Sequence, residues 1–189
     1  MFTSVFRSGS PSATYRLGRG LGAALLSASA GEGDSRGAVL GLWGELGSGK
    51  TTFTRGLAAG LGVRDEARVV SPTFVLKQEY RGRLSIQHYD AYRLSGPAEL
   101  LSLGFEEDLA SGAVVVVEWA GRISAVLPEE ALRIEFEHEF TGTAVPGTIP
   151  RDAGLRRIAF RGDPAWEDPV RRAVEQAGEG AGTGANVSH

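Results

Sequence analysis

The sequence predicts a single α/β domain, with a mainly parallel central sheet flanked by helices and one added β-hairpin. Three observations carry that expectation. Gly44-Glu45-Leu46-Gly47-Ser48-Gly49-Lys50-Thr51 fits G-x-x-x-x-G-K-[ST], and it lies between an apolar run, 38–43, and a helix-forming stretch, 52–61. Ala113-Val114-Val115-Val116-Val117 shows no polar alternation, as in a central strand buried on both faces. Two strand-like runs, Phe74 to Tyr80 and Leu84 to Tyr89, are joined by Arg81-Gly82-Arg83, which predicts a hairpin.

Taken in order, residues 1–11 read as a flexible tail. A helix is expected over Ser12 to Ser29, with Leu17, Leu21, Ala24 and Leu25 at helical spacing. The strand, the glycine-rich loop and its helix follow. Val69-Val70 is short and apolar and is interrupted by Ser71-Pro72-Thr73 ahead of the hairpin. Pro97 to Leu103 fits a short helix, with Ser95 as a candidate N-cap and Pro97 in the first turn. After the valine run, Leu132 to Phe136 and Leu155 to Phe160 read as two more strands, separated by a polar loop over 139–154. The folded domain is placed at 12–174. Residues 175–189, rich in Gly, Ala and Ser, read as a disordered tail. In such an arrangement a ligand site belongs at the carboxyl ends of the strands.

The glycine-rich segment is a phosphate-binding loop. Glycines let successive backbone N–H groups converge on phosphate oxygens, and the helix N-terminus adds unsatisfied donors and its positive dipole end. Gly44, Gly47, Ser48, Gly49, Lys50, Thr51 and Thr52 are the candidate nucleotide-binding residues. Lys50 would reach the β- and γ-phosphates and the Thr51 hydroxyl would hold Mg²⁺. The chain has only two lysines, Lys50 and Lys77, and one stands where a compact ammonium is wanted. Hydrolysis also needs a metal carboxylate and a group that orients the nucleophile. Glu118 follows the buried valine strand directly, the position of the metal-linked carboxylate in P-loop enzymes. Asp90, after His88-Tyr89, would bind the metal through water or position the attacking water; a turn cap or a pair with Arg93 is the plain alternative. Thr73 is a candidate γ-phosphate sensor in a switch loop, against the plain reading of a turn. His88, His138 and His189 lack zinc spacing, and His88 reads as a packed or hydrogen-bonding residue.

Composition narrows the rest. A formal net charge of −3 gives no basic footprint for independent nucleic-acid binding, although arginines cluster at 151–161 and at 171–172. With no cysteine there are no disulfides, thiolate metal sites or cysteine nucleophiles, which suits the cytoplasm. No apolar run approaches membrane-spanning length. Residues 1–31 hold no Asp or Glu, and 21–30 is a short stretch of small apolar residues, as in an export or transit signal. The helix reading is preferred, because an ATP-binding domain outside the cell would lack its ligand.

Gly44 to Phe53, Ser71-Pro72-Thr73-Phe74, His88-Tyr89-Asp90-Ala91-Tyr92-Arg93-Leu94 and Val117-Glu118-Trp119 resemble, in that order, the successive motifs of the TsaE family. The resemblance spans about residues 14–136. It implies a compact α/β ATPase that binds ATP or ADP with Mg²⁺ and helps make N6-threonylcarbamoyladenosine at position 37 of tRNA. It further implies that Thr51 and Glu118 ligate the metal and that Asp90 and Glu118 serve hydrolysis. The partners it implies are TsaB and TsaD, of which TsaD performs the transfer, so that tRNA is met only indirectly. Two departures stand out: Gly121 replaces the Glu or Gln that many members carry, and the 139–154 loop and the tail beyond Phe160 look longer than usual.

Other functions make different demands. A P-loop small-molecule kinase, the runner-up, needs an acceptor pocket and an arginine-bearing lid, for which only 151–161 is a candidate. A GTPase-like switch lacks its Asn-Lys-x-Asp base reader, since Lys77 lies in Leu76-Lys77-Gln78-Glu79. A binding-only protein has no use for Lys50, Thr51, Asp90 and Glu118 together.

Overall fold

The fully apolar run is where the sheet is built. In the computed structural model, which describes residues 1–29, 37–139 and 155–179, β5 (Val114–Glu118) is buried along its whole length. It lies between β2 (Val39–Trp43) and β4 (Ile86–Asp90), parallel to both. On the far side of β2 is β6 (Leu132–His138), also parallel, so the four central strands run one way. Both margins are antiparallel. β7 (Arg156–Gly162) and then β1 (Phe2–Ser8) extend one side, and β3 (Lys77–Tyr80) closes the other, giving the order β1-β7-β6-β2-β5-β4-β3.

Alternation along the strands divides the core. Leu40, Leu42, Val114 and Val116 face helices α1 (Pro11–Ser29), α2 (Lys50–Gly60) and α5 (Glu167–Glu179). Val39, Val115 and Val117 face the side of α3 (Pro97–Ser102) and α4 (Phe105–Ala110). Residues two apart share a face. His88, Asp90 and Glu118 therefore point to the α2 side, toward the helix that begins at Lys50.

α1 and α2 meet through small residues, Gly18 and Gly22 on one helix and Gly56 and Gly60 on the other. A Cβ at Gly56 would stand 2.0 Å from the carbonyl oxygen of Tyr15, and one at Gly18 would stand 2.1 Å from that of Phe53. This close approach lays the first turn of α1 beside the glycine-rich loop.

Several expectations need correction. Residues 1–11 are not a tail: Phe2–Ser8 pairs with β7, and Phe2 and Phe6 pack against the main core while Thr3, Val5 and Arg7 face outward. The burial of Phe2–Ser8 alternates with the period of two of an edge strand. At the other end, α5 continues through 175–179, where disorder was expected, and 180–189 lie outside the described residues. The first hairpin strand starts at Lys77 rather than Phe74. The Val75 and Leu76 amides instead bind the Pro72 carbonyl (3.1 and 2.6 Å), and Leu76 has φ 65°. Ser95 is not an N-cap acceptor; its amide and hydroxyl both donate to Glu99 at 2.8 Å. Most of the 139–154 loop falls outside the described residues.

Candidate nucleotide site

Between β2 and α2 the chain turns through conformations that glycine adopts easily. Gly44 has φ 139° and Gly49 φ 107°, and a Cβ on Gly44 would meet the Phe136 carbonyl oxygen at 2.5 Å. Gly49 is the N-cap of α2 and supplies no side-chain cap, so the first-turn amides of the helix are left for another acceptor. The loop walls a cleft of about 300 Å³ lined in part by Gly47, Gly49, Lys50, Thr51 and Thr52. Ser48 is fully buried beneath it.

Lys50 is nearly buried, with its Nζ donating to the carbonyls of Gly44 (2.7 Å) and Glu45 (2.9 Å). The same ammonium lies 4.2 Å from the Trp119 ring centroid, a cation–π contact. Burial pulls its pKa below the ordinary lysine range, and Glu118, Asp90 and Glu45 oppose that by Coulomb attraction. Trp119 reaches Lys50 because the chain breaks sharply after β5: its φ is 60°, a left-handed conformation that is costly for a bulky residue. Tyr92 packs on the same indole, ring centroids 4.9 Å apart.

Glu118 occupies the end of β5 and is 2% exposed. Its Oε2 accepts from the Thr51 hydroxyl at 3.1 Å, and its Oε1 lies 3.0 Å from His88 Nε2. The two residues expected to hold a metal are thus brought together across 67 positions of sequence. A hydroxyl and a carboxylate are hard oxygen donors, the set that magnesium takes. No cluster of three or more His, Cys, Asp or Glu exists among the described residues. These two donors would suit an ion that takes its other ligands from outside the protein.

Asp90 sits one layer farther back. It is 1% exposed and does not line the cleft. Its Oδ2 accepts from the hydroxyls of Ser71 and Thr73, the latter at 2.7 Å, and its Oδ1 from the Tyr92 amide at 2.8 Å. Ser71 and Thr73 do line the cleft. The carboxylate therefore faces the ligand space through two hydroxyls carried on the 71–76 strap. Thr73, read as a phosphate sensor, is bonded to Asp90.

Arg156 was not singled out by the sequence. From the start of β7 it crosses the glycine-rich loop, its Nη2 donating to the Gly47 carbonyl at 3.4 Å and its Cδ 3.4 Å from the place a Gly49 Cβ would take. Pro11 and Thr14 of α1 complete that wall. The one available signal was the arginine cluster at 151–161, which spacing alone could not tie to a loop 109 positions away.

Comparison with known proteins follows the same segments. A family model described as "Threonylcarbamoyl adenosine biosynthesis protein TsaE" matches residues 8–144. The chain is 42% identical over 98 residues to the tRNA threonylcarbamoyladenosine biosynthesis protein TsaE of Treponema pallidum, covering 52% of this chain and 71% of that one. It is 45% identical over 117 residues to the protein of that name from Bacillus subtilis, covering 58% and 71%. The crystal structure of YdiB from Bacillus subtilis superposes with a TM-score of 0.64 at 29% identity, over 92% of this chain and 95% of that chain.

Proposed function

The chain belongs to the TsaE family, which serves threonylcarbamoyladenosine biosynthesis in tRNA, and from that premise we propose that it is the Mg²⁺-dependent ATPase helper of that modification. One observation carries the reading. Thr51 and Glu118 meet beneath a phosphate-binding loop whose lysine faces the same cleft. In this reading the amides of α2 and the loop bind the phosphates of ATP, and Lys50 exchanges its loop carbonyls for phosphate oxygens. Thr51 and Glu118 would hold a magnesium ion, which would supply charge neutralisation for the phosphates. Asp90 is the acid–base group and acts through the Ser71 and Thr73 hydroxyls, which orient the attacking water. Arg156 adds a second cation across the loop, placed for an anionic oxygen.

The working partners are TsaB and TsaD homologues, with TsaD as the transferase, in the cytoplasm. The acidic net charge leaves tRNA to those partners. Among the described residues no helix is long and apolar enough to cross a membrane. Depletion of the protein in its source cells, followed by mass spectrometry of tRNA nucleosides, tests the proposal. The modified base should fall, wild type should restore it, and Lys50→Ala should not. Normal levels after full depletion, together with a phosphorylated small-molecule product, would give the site to a kinase instead.

A further inference from the structure

Glu118 can hold a metal only if its carboxylate is turned the right way, and few groups are present to turn it. Among the described residues its side chain makes two hydrogen bonds, one from Thr51 and one with His88. His88 is fully buried in β4, in register with Val116 of β5 and Gln78 of β3. Its ring is held beside that of Tyr80, centroids 6.2 Å apart. The imidazole therefore has one fixed approach to the neighbouring strand, and its Nε2 meets Glu118 Oε1 at 3.0 Å.

The other ring nitrogen settles which way the bond runs. Nδ1 is buried and has no hydrogen-bond partner among the described residues. A proton there would be an unsatisfied donor in the core, whereas a bare lone pair is the lesser cost. The proton belongs on Nε2, which donates to the carboxylate.

We infer that His88 is a positioning residue: its Nε2–H holds Glu118 Oε1 and thereby aims Oε2 at Thr51 and the cleft. The inference rests on the reading of Glu118 as the metal carboxylate. It gives a function to a histidine whose spacing suggested only packing. Partners of this kind orient ligating groups in metal sites, and losing one typically lowers metal affinity about 10–100-fold.

Three variants and one spectrum test it. His88→Leu keeps an apolar side chain of similar bulk but no donor. His88→Gln places an amide N–H at the ε position, and His88→Asn only at the δ position. Titrating Mg²⁺ into nucleotide binding, the leucine and asparagine variants should need about 10–100-fold more ion for half-maximal effect. The glutamine variant should recover most of that, and ADP binding without metal should be unchanged in all three. The ¹⁵N spectrum of histidine-labelled wild type should show a proton on Nε2 of His88, whether or not any variant folds. A proton on Nδ1 instead, or equal losses in the glutamine and leucine variants, overturns the inference. Glu118→Gln separates it from its premise. If that variant leaves the Mg²⁺ dependence untouched, the metal reading fails and takes the inference with it. If it changes the dependence while His88→Leu does not, His88 alone is ruled out.

Discussion

On the phosphate side of the cleft the residues are contiguous, 44 to 50, and the work falls to backbone amides, glycine conformations and one ammonium. On the carboxylate side, Thr51, Ser71, Thr73, His88, Asp90 and Glu118 come from four separate segments and meet only because neighbouring strands put them on one face. The first side is local and rests on backbone. The second consists of two hydrogen-bonded groups of side chains, Thr51–Glu118–His88 and Ser71/Thr73–Asp90. Damage to the two should look different: loss of all nucleotide binding on one side, and loss of turnover or of the metal-dependent part of binding on the other.

The largest effect should come from the one side chain on which the phosphate side depends. Lys50→Ala should abolish detectable ATP binding by calorimetry, because in the proposed reading this ammonium would neutralise the β- and γ-phosphates. Unchanged affinity in a folded variant would remove the loop from the argument. Next comes the carboxylate of the Ser71/Thr73–Asp90 group. Asp90→Asn should leave ATP affinity nearly intact and lower turnover by about 10² or more, the scale of losing a positioned acid–base group. Its shape is kept, and the residue lies behind the cleft wall rather than in it. A proportionate loss of affinity would mean that the two sides are one unit.

Glu118→Ala should weaken Mg²⁺-dependent nucleotide binding and hydrolysis while metal-free ADP binding suffers less, which a paired titration with and without chelator reads directly. Normal hydrolysis in that variant would end its assignment. Arg156→Ala blurs the division, since its guanidinium joins the phosphate side from a distant strand. A charged hydrogen bond is worth about 1.5–3 kcal/mol, so ATP affinity should fall about 10- to 150-fold, with the Mg²⁺ dependence unchanged.

The same division decides how much the sequence could show. The phosphate loop was legible because its chemistry is a contiguous pattern with a strand before it and a helix after. The valine run disclosed its burial, and so the place of Glu118 at a strand end. The motif order and spacing then pointed to the family. Pairings across the sheet were not legible. Nothing in the spacing shows that His88 meets Glu118, or that Asp90 reaches the cleft through Ser71 and Thr73. Those contacts depend on β4 and β5 lying side by side in one register. Arg156 was hidden for a similar reason, since β7 takes its place by pairing with β6 and β1, strands distant in sequence from the glycine-rich loop. Phe2–Ser8 misled in another way: its alternation was plain, but an edge strand needs a partner, and that partner lies at the opposite end of the chain.

The smallest expected effect tests whether the Ser71/Thr73–Asp90 group has an internal order. Ser71 and Thr73 donate to the same oxygen of Asp90, and their hydroxyl oxygens lie 3.0 Å apart. Removing either hydroxyl leaves the other in place, so Ser71→Ala and Thr73→Ala should each cost about 1 kcal/mol in turnover, roughly fivefold, with ATP affinity unaltered. Both changes together uncouple Asp90 from the cleft, and the double variant should lose clearly more than the sum of the two, approaching Asp90→Asn. The measurement is a double-mutant cycle on single-turnover hydrolysis. Simple additivity, with the double variant still far from Asp90→Asn, would show that the carboxylate reaches the attacking water without the strap. The hydroxyls would then only fasten the turn at 71–76, whose Leu76 backbone sits in the left-handed region.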